Sequence, residues 1–443
     1  MARATSLYVC QQCGDEETKW HGKCPNCGSW GSLVETAVST KGRIHLRTGG
    51  RSRTKSTIAK TVSLGSISSG KLKRTTTKIP ELDRVLGGGI VPGQVALIAG
   101  EPGIGKSTIL LQLSEKLGDV LYVSGEESVN QIKIRANRLG IKKKSINLLE
   151  ETDIDVILET ASNLKGRTFK SMIIDSIQTM QTSDLSGMSG SVGQVRECSS
   201  RLVKFAKSTG VPVFVVGHVT KTGSVAGPSV LMHIVDTVLW FEGSGDFQFR
   251  LLRARKNRFG PTDEVGIFTM EEKGLISMTD TTDVFLSDER NSIPGQVVGV
   301  VMEGTRPILV EIQSLIVPTK LAFARRTAQG IDSKRLELLL AVLQRRAGID
   351  LSGHDVFVNV VGGIKVKDPG IDLAVCMSLA SVYHDKSLSK STVAVGEVGL
   401  MGEIRDVVAQ PKRLTEARRL GYRTTIYSRS GKYVNQVVHK YFK

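Results

Sequence analysis

Between Thr36 and Lys78 the chain contains no aspartate or glutamate. Eleven cations fall in the same stretch: Lys41, Arg43, Arg47, Arg51, Arg53, Lys55, Lys60, Lys71, Lys73, Arg74 and Lys78. Serine, threonine and glycine fill much of the rest, which predicts a basic tether, flexible until an anion meets it, with one short strand over Val62–Ser68. No run reaches the ~20 apolar residues of a membrane span. The apolar part of Met1–Cys10 is too short for a secretion signal, so a cytoplasmic protein without a membrane partner is expected. The formal net charge of +17 points to a polyanionic partner, either nucleic acid or an acidic membrane surface. At 443 residues, two or three domains are expected.

Cysteine is scarce, yet four of the six form Cys10-x2-Cys13 and Cys24-x2-Cys27. Thiolates two residues apart can grip one side of a tetrahedral ion, and the second pair closes the other side. Two disulfides or a redox pair are the competing accounts; a reducing compartment and the matched pairs weigh against them. The spacing predicts structural Zn²⁺; Trp20 and His21 lie between the pairs, and His21 either substitutes as a ligand or, preferably, fills a packing position. Cys198 and Cys376 have no partner motif and are expected to be small buried residues.

The most specific signal is Gly100-Glu-Pro-Gly-Ile-Gly-Lys-Ser107, a complete G-x-x-x-x-G-K-[ST] loop. It follows the apolar strand pattern of Val95–Ala99 and precedes a helical pattern over Thr108–Leu117, the context that the motif requires. Backbone N–H groups of such a loop turn inward onto phosphate oxygens, and the helix start adds partial positive charge. ATP is therefore expected to lie against Gly100, Glu101, Pro102, Gly103, Ile104, Gly105, Lys106, Ser107 and Thr108. Lys106 would meet the β- and γ-phosphates, and Ser107 would ligate Mg²⁺.

Strand patterns at Val120–Ser124, Ser171–Asp175 and Val211–Val216, with a helix over Asn130–Leu139 between the first two, predict a parallel sheet covered on both faces. Asp175 ends a strand, where it either caps the next turn or reaches the Mg²⁺ shell. Glu126 and Glu127 follow Ser124, and one of them, preferably Glu126, would polarise the attacking water.

The run Glu81–Gly89, the phosphate loop and Val123–Ser128 resemble the RecA-type ATPases. Within that class, Gly217–Gly223, the pentapeptide Lys256-Asn-Arg-Phe-Gly260 and the four-cysteine knuckle resemble the family of the bacterial DNA repair protein RadA, also called Sms. The resemblance covers essentially the whole chain. It implies a hexameric, DNA-dependent ATPase and helicase that translocates on single-stranded DNA and drives branch migration, with branched DNA and a RecA-type recombinase as partners. Lys256 and Arg258 would couple ATP or DNA state between subunits, touching a neighbour's nucleotide or DNA. The loops Thr182–Gly193 and Thr220–Pro228 stand where RecA-type proteins contact DNA, and Lys221 is the cation inside the second. Gln178 and His218 would report γ-phosphate occupancy to these loops.

From Thr279 the chain starts again, with strands at Gln296–Met302, Pro307–Gln313 and Val356–Gly363 and a helix over Ser333–Ala347. This part resembles the proteolytic domain of Lon, which uses a Ser–Lys dyad. Aligned on Lys367-Asp368, Ile371 falls where the serine belongs, and Lon's lysine falls near Pro411, one position from Lys412. Ser378 is the nearest hydroxyl. Without a nucleophile the domain is expected to be an inactive scaffold. The predicted organisation is a zinc knuckle over 1–36, a linker over 37–78, a RecA-like α/β core with a parallel sheet over 79–278, and an α+β Lon-protease-like domain over 279–443. A KaiC-like regulatory ATPase binding protein partners and a Lon-type peptidase are the alternatives.

Overall fold

A computed structural model describes residues 5–10, 15–38, 63, 73–142, 145–163, 169–218, 228–243, 249–278, 293–320, 323–363 and 365–443. Of the expected tether this includes only 37–38, 63 and 73–78, so all of the Val62–Ser68 strand but Ser63 lies outside the described residues. The chain divides into two compact units, 1–278 and 279–443.

The first unit begins with an antiparallel ribbon of β1 (Thr5–Cys10), β2 (Glu16–Glu17) and β3 (Leu33–Val38), in the order β2-β1-β3. Next come α1 (Pro80–Leu86), β4 (Val95–Gly100), α2 (Lys106–Leu117), β5 (Val120–Ser124), α3 (Val129–Arg138) and β6 (Ile146–Glu150). The chain continues through α4 (Ile154–Asn163), β7 (Ser171–Asp175), α5 (Val192–Thr209), β8 (Val213–His218), α6 (Pro228–Ile234) and β9 (Thr237–Glu242). It ends in β10 (Phe249–Asn257), β11 (Val265–Glu271) and β12 (Gly274–Ser277). The nine strands from β4 onward form one sheet, β12-β11-β10-β9-β4-β8-β7-β5-β6. Its six strands from β9 to β6 are parallel, and β10 to β12 extend it antiparallel.

Strands β4, β5 and β7 are buried along their whole length, because helices cover both faces. Leu110, Tyr122, Ile173 and Phe241 pack on one side of the sheet; Leu97, Val123, Ile174 and Leu202 pack on the other. Arg74 departs from the expected flexible tether. Its guanidinium donates to the carbonyls of Leu86, Gly89 and Phe259, and Thr77 is fully buried. Half-buried and bonded to three backbone carbonyls, Arg74 belongs to the folded unit.

The second unit carries β13 (Gln296–Glu303), β14 (Arg306–Pro318), β15 (Arg326–Gln329), α7 (Ser333–Val342), β16 (His354–Val360) and α8 (Asp372–Tyr383). They are followed by β17 (Thr392–Ala394), β18 (Glu397–Val398), β19 (Ile404–Arg405), α9 (Gln410–Arg419), β20 (Thr424–Ile426) and α10 (Val434–Phe442). Six of these strands form a mixed sheet, β15-β16-β14-β13-β17-β20, with β18 and β19 paired separately. Helix α8 is buried from Asp372 to Ser381, including Cys376. Cys198 is equally buried in the first unit.

Candidate active site

Four parallel strands bring their carboxyl ends to one edge. Ser124 pairs with Asp175 across β5 and β7, and Gly100 pairs with His218 across β4 and β8. Ligands of open parallel sheets bind at such an edge, because the loops leaving the strands diverge there. Residues far apart in sequence therefore meet around the phosphate loop.

The loop leaves β4 and enters α2 with Gly105 as the N-cap at φ 114°, in the region that disfavours side chains. A Cβ on Gly105 would stand 2.9 Å from Met270 Cε, so the site also lacks space for one. Glu101, Pro102 and Gly103 are exposed at the crown, Ile104 is buried, and Ser107 and Thr108 are half-buried in the first turn of α2. That turn contains no acidic residue, which leaves its partial positive charge available to an anion. Lys106 is 4% exposed and donates to the carbonyls of Gly100 and Glu101, each at 2.9 Å. Burial lowers its ammonium to about 8, against the opposing pull of Asp175 and Glu126.

Asp175 is 8% exposed and accepts the hydroxyl of Tyr122 at 2.5 Å. Burial, with the neighbouring Asp175 charge, pushes the Tyr122 phenol well above its usual range, so it stays a donor. Glu126 accepts a hydrogen bond from the Ser176 hydroxyl, and His218 Nε2 lies 3.3 Å from its Oε1. The imidazole, the Ser176 hydroxyl and the Lys106 charge together hold Glu126 at about 2, against burial. Gln178 donates to the His218 carbonyl at 3.3 Å.

Glu127 points elsewhere. Its carboxylate pairs with Arg135 of α3, and its backbone is tied to the Ser124 hydroxyl. Gly125 explains how the two strand ends come together: a Cβ there would lie 2.1 Å from Thr179 Oγ1. Only hydrogen fits between the loop after β5 and the turn after β7.

Lys256 and Arg258 are not at this edge. Strand β10 runs back from the phosphate end, pairing Leu251 with Glu242 and Asn257 with Thr237. Arg258 is level with Val95, since its N–H donates to the Asp236 carbonyl and Asp236 N–H donates to Val95. Val95 to Gly100 is about 17 Å of strand. A register shift between Ala254 and Lys256 re-aims the lysine, which donates to the Met232 and His233 carbonyls at the end of α6 (2.7 and 3.1 Å). Burial lowers the Lys256 ammonium, and the nearby Arg258 lowers it further. Arg258 Nη1 lies 3.5 Å from buried Asp236, which also pairs with Lys207 at 2.6 Å. Gly260 of the same pentapeptide packs on Gly87, where a Cβ would be 3.1 Å from the facing Cα.

Cys10, Cys24 and Cys27 bring their sulfurs within 4.8 Å of one another, a donor set suited to zinc. Cys13 and Lys221 lie outside the described residues. His21 is exposed, so it does not fill the packing position expected of it, and Trp20 beside it is 58% exposed. The ribbon is too small to enclose them; its described core is Cys10, Cys24, Leu33 and half-buried Tyr8.

In the second unit, Ile371 is buried beside a cleft of about 850 Å³ that Lys367, Asp368 and Asp372 also line. Lys412 donates to the Thr305 carbonyl. Ser378 is fully buried in α8, with its hydroxyl 2.6 Å from both the Gly295 carbonyl and Ser314 Oγ. It faces no solvent.

Tyr122, Ser176 and Asp236 escape sequence reasoning. Tyr122 and Asp236 act on residues brought near only by strand pairing. Ser176 had a usable signal, since it directly follows the strand-ending Asp175.

Residues 8–35 match the rubredoxin metal binding domain family and residues 67–224 match the AAA domain family. The DNA repair protein RadA of Bacillus subtilis (strain 168) is 47% identical over 430 residues, covering 96% of this chain and 93% of its own. That of Listeria monocytogenes is 45% identical over 427 residues, covering 95% and 92%. A KaiC-like protein of Pyrococcus horikoshii OT3 matches 46% of this chain and 99% of its own at 20% identity, with TM-score 0.39, too slight a likeness to bear on function. Identity at this level across nearly the full length of both chains leaves one assignment: the chain belongs to the DNA repair protein RadA family.

Proposed function

We propose that this chain is a DNA-dependent ATPase and helicase of recombinational repair, translocating on single-stranded DNA and promoting branch migration of recombination intermediates. The observation that carries the hydrolytic part is the meeting of Lys106, Asp175 and Glu126 at one sheet edge. Lys106 would leave the loop carbonyls for the β- and γ-phosphates of ATP. Ser107 would ligate Mg²⁺ directly and Asp175 through water, its carboxylate oriented by Tyr122. Glu126, ionised at any physiological pH, would accept hydrogen bonds from the attacking water. Glu127 is committed to Arg135 and is the weaker candidate.

Lys256 and Arg258 lie about 17 Å of strand from their own phosphate loop. Any part they take at a phosphate is therefore at a neighbouring subunit's nucleotide or on DNA, which supports a ring-forming, hexameric homo-oligomer. Zn²⁺ would be held by Cys10, Cys24 and Cys27 with Cys13, and Lys221 would contact DNA. The second unit would be a Lon-protease-like scaffold without a nucleophile. Branched DNA, a RecA-type recombinase and a cytoplasmic location complete the reading, supported by the family and by the lack of a membrane-spanning helix among the described residues.

Lys106→Ala tests the core of the proposal. It should abolish ATP turnover while leaving the fold and part of the DNA binding in place. Wild-type turnover in that variant would remove the phosphate loop from the reaction.

A further inference from the structure

Two of the three tryptophans, Trp20 and Trp30, are 58% and 78% exposed, although aromatic area of that size is normally covered. They are neighbours in space. Gly22 lies between them, and a Cβ on it would stand 3.6 Å from the Trp30 ring and 3.8 Å from the Trp20 ring. Lys23 bridges to Trp30 across a short antiparallel contact and holds its ammonium 5.9 Å from the centre of that ring. The turn is fixed from below: Gly31 N–H donates to the Gly22 carbonyl at 2.8 Å, and Gly28 N–H to the Cys24 carbonyl at 2.9 Å.

Composition decides what such a surface fits. From Thr18 to Val34 there is no acid, and Lys19 and Lys23 supply cations. From Thr18 to Gly31 there is also no aliphatic side chain to surround the rings. A docking face for a folded protein pairs aromatics with a wider apolar core, and this tip has none. Two bare rings beside a lysine suit a ligand with a π-face and a nearby phosphate.

We infer that the ribbon tip is a stacking platform for unpaired nucleobases, with Trp30 as the main stacking face, Trp20 as the second and Lys23 on the adjoining phosphate. Base–aromatic stacking tolerates every sequence, because all bases carry a π-face. The platform rests on the DNA-binding reading above and adds to it a base-dependent contact that a basic tether alone does not make. Duplex DNA, with its bases stacked inside, gains nothing from it.

The test uses the full-length protein. In a Trp240→Phe background only the two ribbon tryptophans emit, so titration with oligo(dT) should quench the fluorescence. Trp30→Leu, which keeps apolar area without a π-face, should weaken oligo(dT) binding by about five- to a hundredfold. The salt slope and duplex affinity should stay unchanged, and Trp30→Phe should restore most of the loss. An abasic strand should bind the unmutated protein and Trp30→Leu equally. If Trp30→Leu loses its zinc, the abasic comparison and the quenching still decide. Unquenched emission with equal affinity for abasic and base-bearing strands would overturn the platform while leaving DNA binding intact. Failure of the unmutated protein to bind any DNA would overturn both.

Discussion

Glu126 and Glu127 are adjacent in sequence and face different partners, His218 and Ser176 for the first and Arg135 for the second. Glu126→Gln should therefore leave ATP binding intact and reduce turnover by about a hundredfold or more, because the attacking water loses its charged hydrogen-bond acceptor. Glu127→Gln should change turnover little. Steady-state ATPase assays on the two variants check this, and an equal loss in both would contradict the assignment. Lys106 adds a pH dependence. Its ammonium ionises at about 8 in the buried loop, and an approaching triphosphate favours the charged form. ATP affinity should then fall as pH rises through about 8, with proton uptake on binding in that range. Calorimetry in buffers of different ionisation heat reads the uptake, and a flat affinity from pH 7 to 9.5 would contradict it.

Among the elements, the loops after β5 and β7 depend on Gly125. Adding a Cβ there meets Thr179 Oγ1 at 2.1 Å, with the Thr179 Cβ at 2.8 Å behind it. Gly125→Ala should cost about 1–3 kcal/mol, as overpacking does, and should displace Glu126 so that activity falls with stability. Thermal melts and ATPase assays measure both; an unchanged melt would mean that the turn yields freely. The phosphate loop, β5, β7 and β8 were legible because short apolar strands end at residues whose chemistry announces a site. The antiparallel extension was not. Strand β10 reads Phe-Arg-Leu-Leu-Arg-Ala-Arg-Lys-Asn, and its cations look like a solvated tail until Glu242, Trp240 and the Met232 carbonyl are seen to engage them. Arg74 was hidden for the same reason: as one cation among eleven it reads as tether, and only the fold supplies its three carbonyl acceptors.

At the scale of the whole molecule, the sheet separates two chemistries. The phosphate loop occupies one edge, while the Lys256–Gly260 pentapeptide occupies the other, tied to Gly87 and Asp236. In the proposed ring, that separation would let one subunit's far edge meet the next subunit's nucleotide. Lys256→Ala should keep assembly and lose ATP-driven strand movement; normal branch migration by that variant would rule out the coupling. Salt should weaken single-strand binding with a log–log slope of about −0.7 for each phosphate contacted.

ATP hydrolysis at Lys106, Asp175 and Glu126 should be coupled to single-stranded DNA. The most direct measurement is the ATP turnover of the full-length protein with and without single-stranded DNA, with Lys106→Ala alongside. Turnover should rise when DNA is added and vanish in the variant. Turnover indifferent to DNA, or surviving the loss of Lys106, would contradict that expectation.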